Sequence, residues 1–134
     1  MFIDASALVA ILTGESDASD LAARLEGATT LITSPIAVYE SVLAIARTKQ
    51  GGIGEARIDV EMFLAAVPIR VVAVTPLDAS TALDAFETYG KGRGHPAQLN
   101  MGDCFAYAAA KNKGVPLLFK GQDFIHTDIA QAPA

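Results

Sequence analysis

Four acids, Asp4, Glu40, Asp103 and Asp123, are the residues of this chain whose types and placement could do chemistry together. Each adjoins a short apolar run or a helix start. Asp4 closes the run Met1-Phe2-Ile3, and Asp123 follows Pro116-Leu117-Leu118-Phe119. Asp103 opens the last strong helical pattern, and Glu40 lies inside the helix announced by Ser34-Pro35. Carboxylates gathered in one cleft repel one another and cannot all stay ionised without a counter-cation. A hard divalent metal with oxygen ligands is the usual answer. Such a cluster therefore points to magnesium or manganese and to phosphate chemistry.

Each acid also has a plainer use. Taken alone, Asp4 and Asp103 read as helix caps, Glu40 as a solvated helix position, and Asp123 as a turn residue. The chemical reading depends on a fold that brings all four to one place. The pattern of elements supplies one. Residues 1–4 read as a strand and 5–13 as a helix, with Leu8, Ile11 and Leu12 on one face. Residues 17–26 form a second helix, closed by Gly27, and Thr30 to Thr33 a short strand. Ser34 as N-cap with Pro35 behind it starts a helix expected to reach about Gln50. Another helix covers 54–66, and the β-branched run Ile69 to Val74 reads as a buried strand. Thr75-Pro76 repeats the cap-and-proline signal for a helix to Tyr89. The last helix runs from Asp103 to Lys113 and stops at Gly114, with Lys111 and Lys113 suited to its C-terminal dipole. Pro116 to Phe119 is the final strand.

Strands separated by helices imply crossovers, a mostly parallel sheet and helices on both faces, so the expected fold class is a three-layer α/β/α domain with a short central sheet. Ligands in such folds bind at the carboxyl ends of the strands. Asp4 and Asp123 fall just past such ends, and Asp103 can project there from a helix N-terminus. Ser6, two residues beyond Asp4, can support the site with its hydroxyl.

Composition sets the outer limits. The 134 residues, 51% of them hydrophobic, suffice for one domain over 1–134 with a core of its own. No apolar run is long enough to span a bilayer. The N-terminal stretch carries Asp4 and no basic region, so it reads as strand and helix and not as a signal peptide. One cysteine, Cys104, excludes an internal disulfide, and a cytoplasmic setting is expected. The formal net charge of −5 counts against a broad basic surface for nucleic acid, although a metal site would cancel part of it.

The segments MFIDASALVAIL, SPIAVYESVLAIAR and LNMGDCFAYAAAKNKGVPLLFKGQDF, in this order and with the loop KGRGHPAQLN before the last, resemble those of PIN-domain ribonucleases, specifically VapC-type toxins of bacterial toxin–antitoxin pairs. The opening Asp-x-Ser is weak alone; the Gly-Asp-Cys-Phe-Ala-Tyr-Ala stretch with Leu-Leu-Phe-Lys-Gly-x-Asp-Phe is far more specific. The resemblance implies a PIN fold and a Mg²⁺-dependent (or Mn²⁺-dependent) endoribonuclease cleaving single-stranded or looped RNA by metal-activated water. It implies Asp4, Glu40 and Asp103 as the acidic core, with Asp4 and Asp103 as metal ligands. Asp123 matches the fourth acid only by placing a gap, because relatives carry a Thr-x-Asp pattern where this chain reads Lys120-Gly121-Gln122-Asp123. It further implies a cognate antitoxin as partner, and a homodimer or larger toxin–antitoxin oligomer.

Other residues carry less. Lys91, Arg93 and His95 form a basic loop before Asp103, a phosphate contact or simply a solvated glycine-rich loop. Lys120 could neutralise the acids, contact RNA, or be a surface lysine. Cys104 reads as packing, and His95 and His126 lack zinc-like spacing. The competing functions are a non-catalytic RNA-binding protein on a degenerate site of the same fold and a small metal-dependent phosphatase. Phosphatases with an aspartyl nucleophile often carry Asp-x-Asp at the first strand end, where this chain has Asp4-Ala5-Ser6.

Overall fold

Alternating apolar side chains on very short strands build the centre of the molecule. A computed structural model describes residues 1–133. Its strands Phe2–Ile3 (β1), Ile32–Thr33 (β2), Arg70–Val71 (β3) and Leu117–Leu118 (β4) pair in parallel in the order β3-β2-β1-β4. Successive strand residues face opposite sides. Phe2, Ile32 and Leu117 therefore join one core with Ala82 and Ala85 and with Cys104, Tyr107 and Ala108. Ile3 and Leu118 join the other with Leu8, Leu21 and Leu25. Burial on both faces gives the three layers expected of an all-parallel sheet.

The helices are Ala5–Leu12 (α1), Ala18–Glu26 (α2), Pro35–Ala46 (α3), Gly52–Ala66 (α4), Pro76–Tyr89 (α5) and Met101–Lys113 (α6), with a short 3-10 turn at Phe124–His126. Their starts follow local chemistry. Ser34 accepts from the Ala37 N–H at 3.1 Å with Pro35 in the first turn. Thr75 and Asp78 form a reciprocal capping box, as do Asn100 and Asp103. Gly114, at φ 66°, ends α6 in the left-handed region that favours glycine.

Three expectations need correction. The helix begun at Ser34 stops at Ala46, short of Gln50. The Thr48 hydroxyl and N–H both bond the Ile45 carbonyl, at 2.8 and 3.0 Å, and tighten the last turn. The final helix opens at Met101 with Asn100 as its cap, so Asp103 sits inside the first turn. The run Ile69 to Val74 is not a buried strand. Only Arg70 and Val71 pair, both are exposed, and β3 lies at the sheet edge with β2 as its single neighbour. An apolar β-branched run fits an edge against a helix as well as a centre, and composition does not separate the two.

Order reverses at β1. β2 and β3 extend the sheet to one side, while β4 returns to the other. The switch point between β1 and β4 is where such a sheet leaves room for a ligand.

Candidate functional site

Asp4 leaves β1 at that switch point and caps α1. Its Oδ2 accepts from the Ser6 N–H at 3.0 Å and from the Ser6 hydroxyl at 2.6 Å. The Ser6 oxygen in turn accepts from the Lys120 backbone N–H at 3.0 Å, just past β4. The Asp4 N–H donates to the Leu118 carbonyl at 3.0 Å. Asp4 is thus a helix cap that also stands at a cleft. One carboxylate oxygen is fixed by the helix start, and the residue lines an open cleft of about 590 Å³.

Glu40 from α3 and Asp103 from α6 line the same cleft, with Ser6, Asn100, Glu15 and Lys120. Asp4 is buried, and loss of water raises its pKa against the opposing pull of its Ser6 bonds. Glu40 is pushed up to about 7, first by burial and then by the charges of Asp4 and Asp103. Asp103 is pushed up to about 6 by burial, opposed by its bond from the Asn100 N–H, with the charges of Asp4 and Asp123 adding to the rise. The three acids therefore feel one another electrically.

Asp123 acts on this group by its charge alone. It is exposed, makes no capping bond at the 3-10 turn, and is not part of the cleft lining. Lys91 and Arg93 lie on an exposed loop away from the lining, where Arg93 Nε donates to the Glu87 carbonyl at 3.5 Å. Lys120 is on the rim, but its ammonium does not pair with the acidic core. It is held by Glu15 at 2.8 Å and Asp17 at 3.2 Å. Cys104 is buried, with its thiol pushed up to about 11 by burial and by Asp103, which keeps it un-ionised.

Gly102, in the first turn of α6, packs tightly against Glu40 of α3. A Cβ there would overlap the Glu40 carboxylate. Since the obstacle is the flexible end of a side chain, Gly102→Ala is expected to fold normally, with Ala favoured over Gly inside a helix. It should nevertheless displace Glu40 and lower activity by on the order of 10–10²-fold. Thermal denaturation beside a cleavage assay separates the two effects; an alanine variant with full activity would show that Glu40's position is unimportant.

Glu15, Asn100, Tyr39 and Arg47, which the sequence does not single out, also line the cleft. A signal for the last two was present, because Tyr39, Leu43 and Arg47 recur every fourth residue beside Glu40.

A hard divalent cation suits this donor set. All the acids offer carboxylate oxygen, and their mutual repulsion is what a cation would relieve. Among the described residues no group of three or more Asp, Glu, His or Cys side chains is placed to hold a metal ion. Magnesium does not require one, since it binds through one or two carboxylates and retains several waters. Asp4 and Asp103 are the candidate holders.

The family model described as "PIN domain" matches residues 1–130. A VapC ribonuclease of Rhizobium meliloti (strain 1021) is 42% identical over 139 residues, covering 96% of this chain and 98% of the relative. Ribonuclease VapC30 of Mycobacterium tuberculosis (strain H37Rv) is 46% identical over 130 residues, covering 97% of this chain and 96% of the relative. Among solved structures, Mycobacterium tuberculosis VapC20, described as a sarcin-ricin loop cleaving toxin, superposes with a TM-score of 0.77 at 16% identity over 97% of this chain and 96% of that one. A toxin–antitoxin complex from Klebsiella pneumoniae gives a TM-score of 0.65 at 17% identity, covering 92% and 88%. These two likenesses are of fold. Among the described residues no helix is long and apolar enough to cross a membrane.

Proposed function

The chain belongs to the PIN-domain family, among its VapC ribonucleases, and on that premise we propose that it is a divalent-metal-dependent endoribonuclease toxin, one PIN domain over residues 1–134, restrained by a cognate antitoxin. The observation that carries the reading is the convergence of Asp4, Glu40 and Asp103 on one cleft, with Glu40 and Asp103 titrating at about 7 and about 6. Carboxylates that share a cleft and raise one another's pKa have a use for a cation and little use without one.

Each residue then has a task. Asp4 and Asp103 would hold Mg²⁺ (or Mn²⁺), and Ser6 engages one Asp4 oxygen, leaving the other without a bond from Ser6. The cation, when bound, supplies positive charge to the scissile phosphate and makes water a stronger acid. Glu40 accepts the proton of the attacking water as the phosphorus–oxygen bond to the leaving nucleotide breaks. Asp123 adds negative charge at the edge of the group.

The antitoxin has a surface beside the site. An apolar groove of about 700 Å³ is lined by Val38 and Val42 of α3, Ile53 and Leu64 of α4, and Val71 of β3. Tyr39 and Leu43 line both this groove and the acidic cleft. A segment with apolar anchors leading into a basic side chain matches that sequence of surfaces and would shut the cleft. Self-association, also expected from the family, has exposed apolar side chains available in Leu83, Phe86 and Met101.

The direct test is RNA cleavage by the purified, antitoxin-free chain with Mg²⁺ or Mn²⁺ and with EDTA. Cleavage is expected only with metal. Cleavage unaffected by EDTA, or release of phosphate from small monoesters with RNA left intact, would refute the assignment.

A further inference from the structure

We propose that Tyr39 and Arg47 form the RNA-holding wall of the cleft, Tyr39 stacking on an unpaired base and Arg47 contacting a backbone phosphate. The proposal rests on the nuclease reading and names how that site holds its substrate. Two cations line the cleft, Lys120 and Arg47. Lys120 is occupied by two carboxylates of this chain. Arg47 is exposed and, among the described residues, has no ion pair or side-chain hydrogen bond. With a net charge of −5, the chain cannot rely on a broad basic field, so an unengaged arginine on the lining of the acidic cleft gains importance.

Tyr39 is 65% exposed although it is aromatic. It stands next to Glu40 on α3 and lines the cleft. Arg47 is eight residues further along, about 12 Å at the helical rise of about 1.5 Å per residue. Aromatic rings stack on any base and so give affinity without requiring a sequence, while a guanidinium suits phosphate geometry. The phosphate is reachable in any RNA, but the base face is open only in unpaired RNA, since a duplex hides it by stacking. The wall therefore selects single strands or loops and lays them along α3, with the scissile phosphate beside Glu40.

The test uses the purified chain and a short mixed-sequence single-stranded oligoribonucleotide, free and annealed to its complement. Binding is read by fluorescence anisotropy in an Asp103→Asn background, and cleavage in the otherwise wild-type chain. Arg47→Ala is expected to weaken binding and to reduce the slope of log affinity against log salt by about 0.7. Tyr39→Leu is expected to weaken binding of the single strand by on the order of tenfold, with KM rising more than kcat falls, while Tyr39→Phe restores it. Both residues are exposed, and unchanged thermal stability of each variant verifies the fold. Unchanged affinity and salt slope in a chain that cleaves RNA would overturn the proposal. So would a loss confined to antitoxin binding, which would give this wall to the protein partner. A wild-type chain that neither binds nor cleaves RNA overturns the nuclease reading itself, and this proposal with it.

Discussion

Asp4→Asn and Asp103→Asn are each expected to lower RNA cleavage by at least about 10²-fold while leaving the chain folded. Both residues have structural duties, so loss of activity alone would prove little. Asparagine can carry out those duties. At position 4 its single amide oxygen can accept the same two bonds from Ser6 that Asp4 Oδ2 now accepts, and asparagine is as good a helix cap as aspartate. At position 103 the amide oxygen can accept from the Asn100 N–H, as Asp103 Oδ2 does at 3.0 Å. What each change removes is the second, negatively charged oxygen, replaced by an N–H₂ donor that repels a cation.

The measurement is cleavage beside thermal denaturation with and without Mn²⁺. Wild type should be stabilised by Mn²⁺, since a ligand that binds only the native state shifts unfolding by mass action. The two variants should melt near the wild-type temperature and respond weakly to the metal. A folded Asp103→Asn chain that cleaves at the wild-type rate would remove Asp103 from the reaction and leave it a capping residue.

The elements that position the site were legible where local chemistry is strong. Ser34-Pro35, Thr75-Pro76 and Gly114 mark helix ends through bonds made within a few residues. Alternating helices and apolar runs sufficed for the parallel sheet, and the sheet for placing Asp4 beside the last strand. Less legible was whatever depends on distant partners. The edge position of Arg70–Val71 is set by what does not pair beyond it. Lys120 is separated from Glu15 and Asp17 by most of the chain, and only the fold shows that they have claimed its charge. Glycine at 102 signals a close approach, but its occupant, Glu40 of another helix, is read only in three dimensions. Tyr39 and Arg47 lie in the SPIAVYESVLAIAR segment, but an exposed aromatic and an unpaired cation become informative only once their neighbours are known.

The same crowding that gives the acids a use for metal should make the metal-free chain less stable as pH rises. Glu40 titrates at about 7 in the folded chain against an ordinary 4.5, and Asp103 at about 6 against 3.8. Between those limits the native state holds more protons than the unfolded state, so unfolding free energy falls as pH increases. The contribution is fully favourable only below the ordinary values and is lost through about pH 4 to 7. Asp78 and Asp128 are shifted the opposite way and lose their contribution at more acidic pH, outside that window. After discounting for solvent at a half-exposed site, the loss is on the order of 1–2 kcal/mol, or roughly 3–8 °C in Tm. Melting in EDTA from pH 5 to 8 should show this decline, and Glu40→Gln should flatten it, because the amide removes one of the repelling charges. Mn²⁺ should restore stability most at the alkaline end, where the carboxylates are ionised and available as ligands. A Glu40→Gln chain with the wild-type slope would mean that Glu40 carries no strain of this kind. Its place beside Asp4 and Asp103 would then be a matter of packing, and the proton acceptor would have to be sought among the other acids.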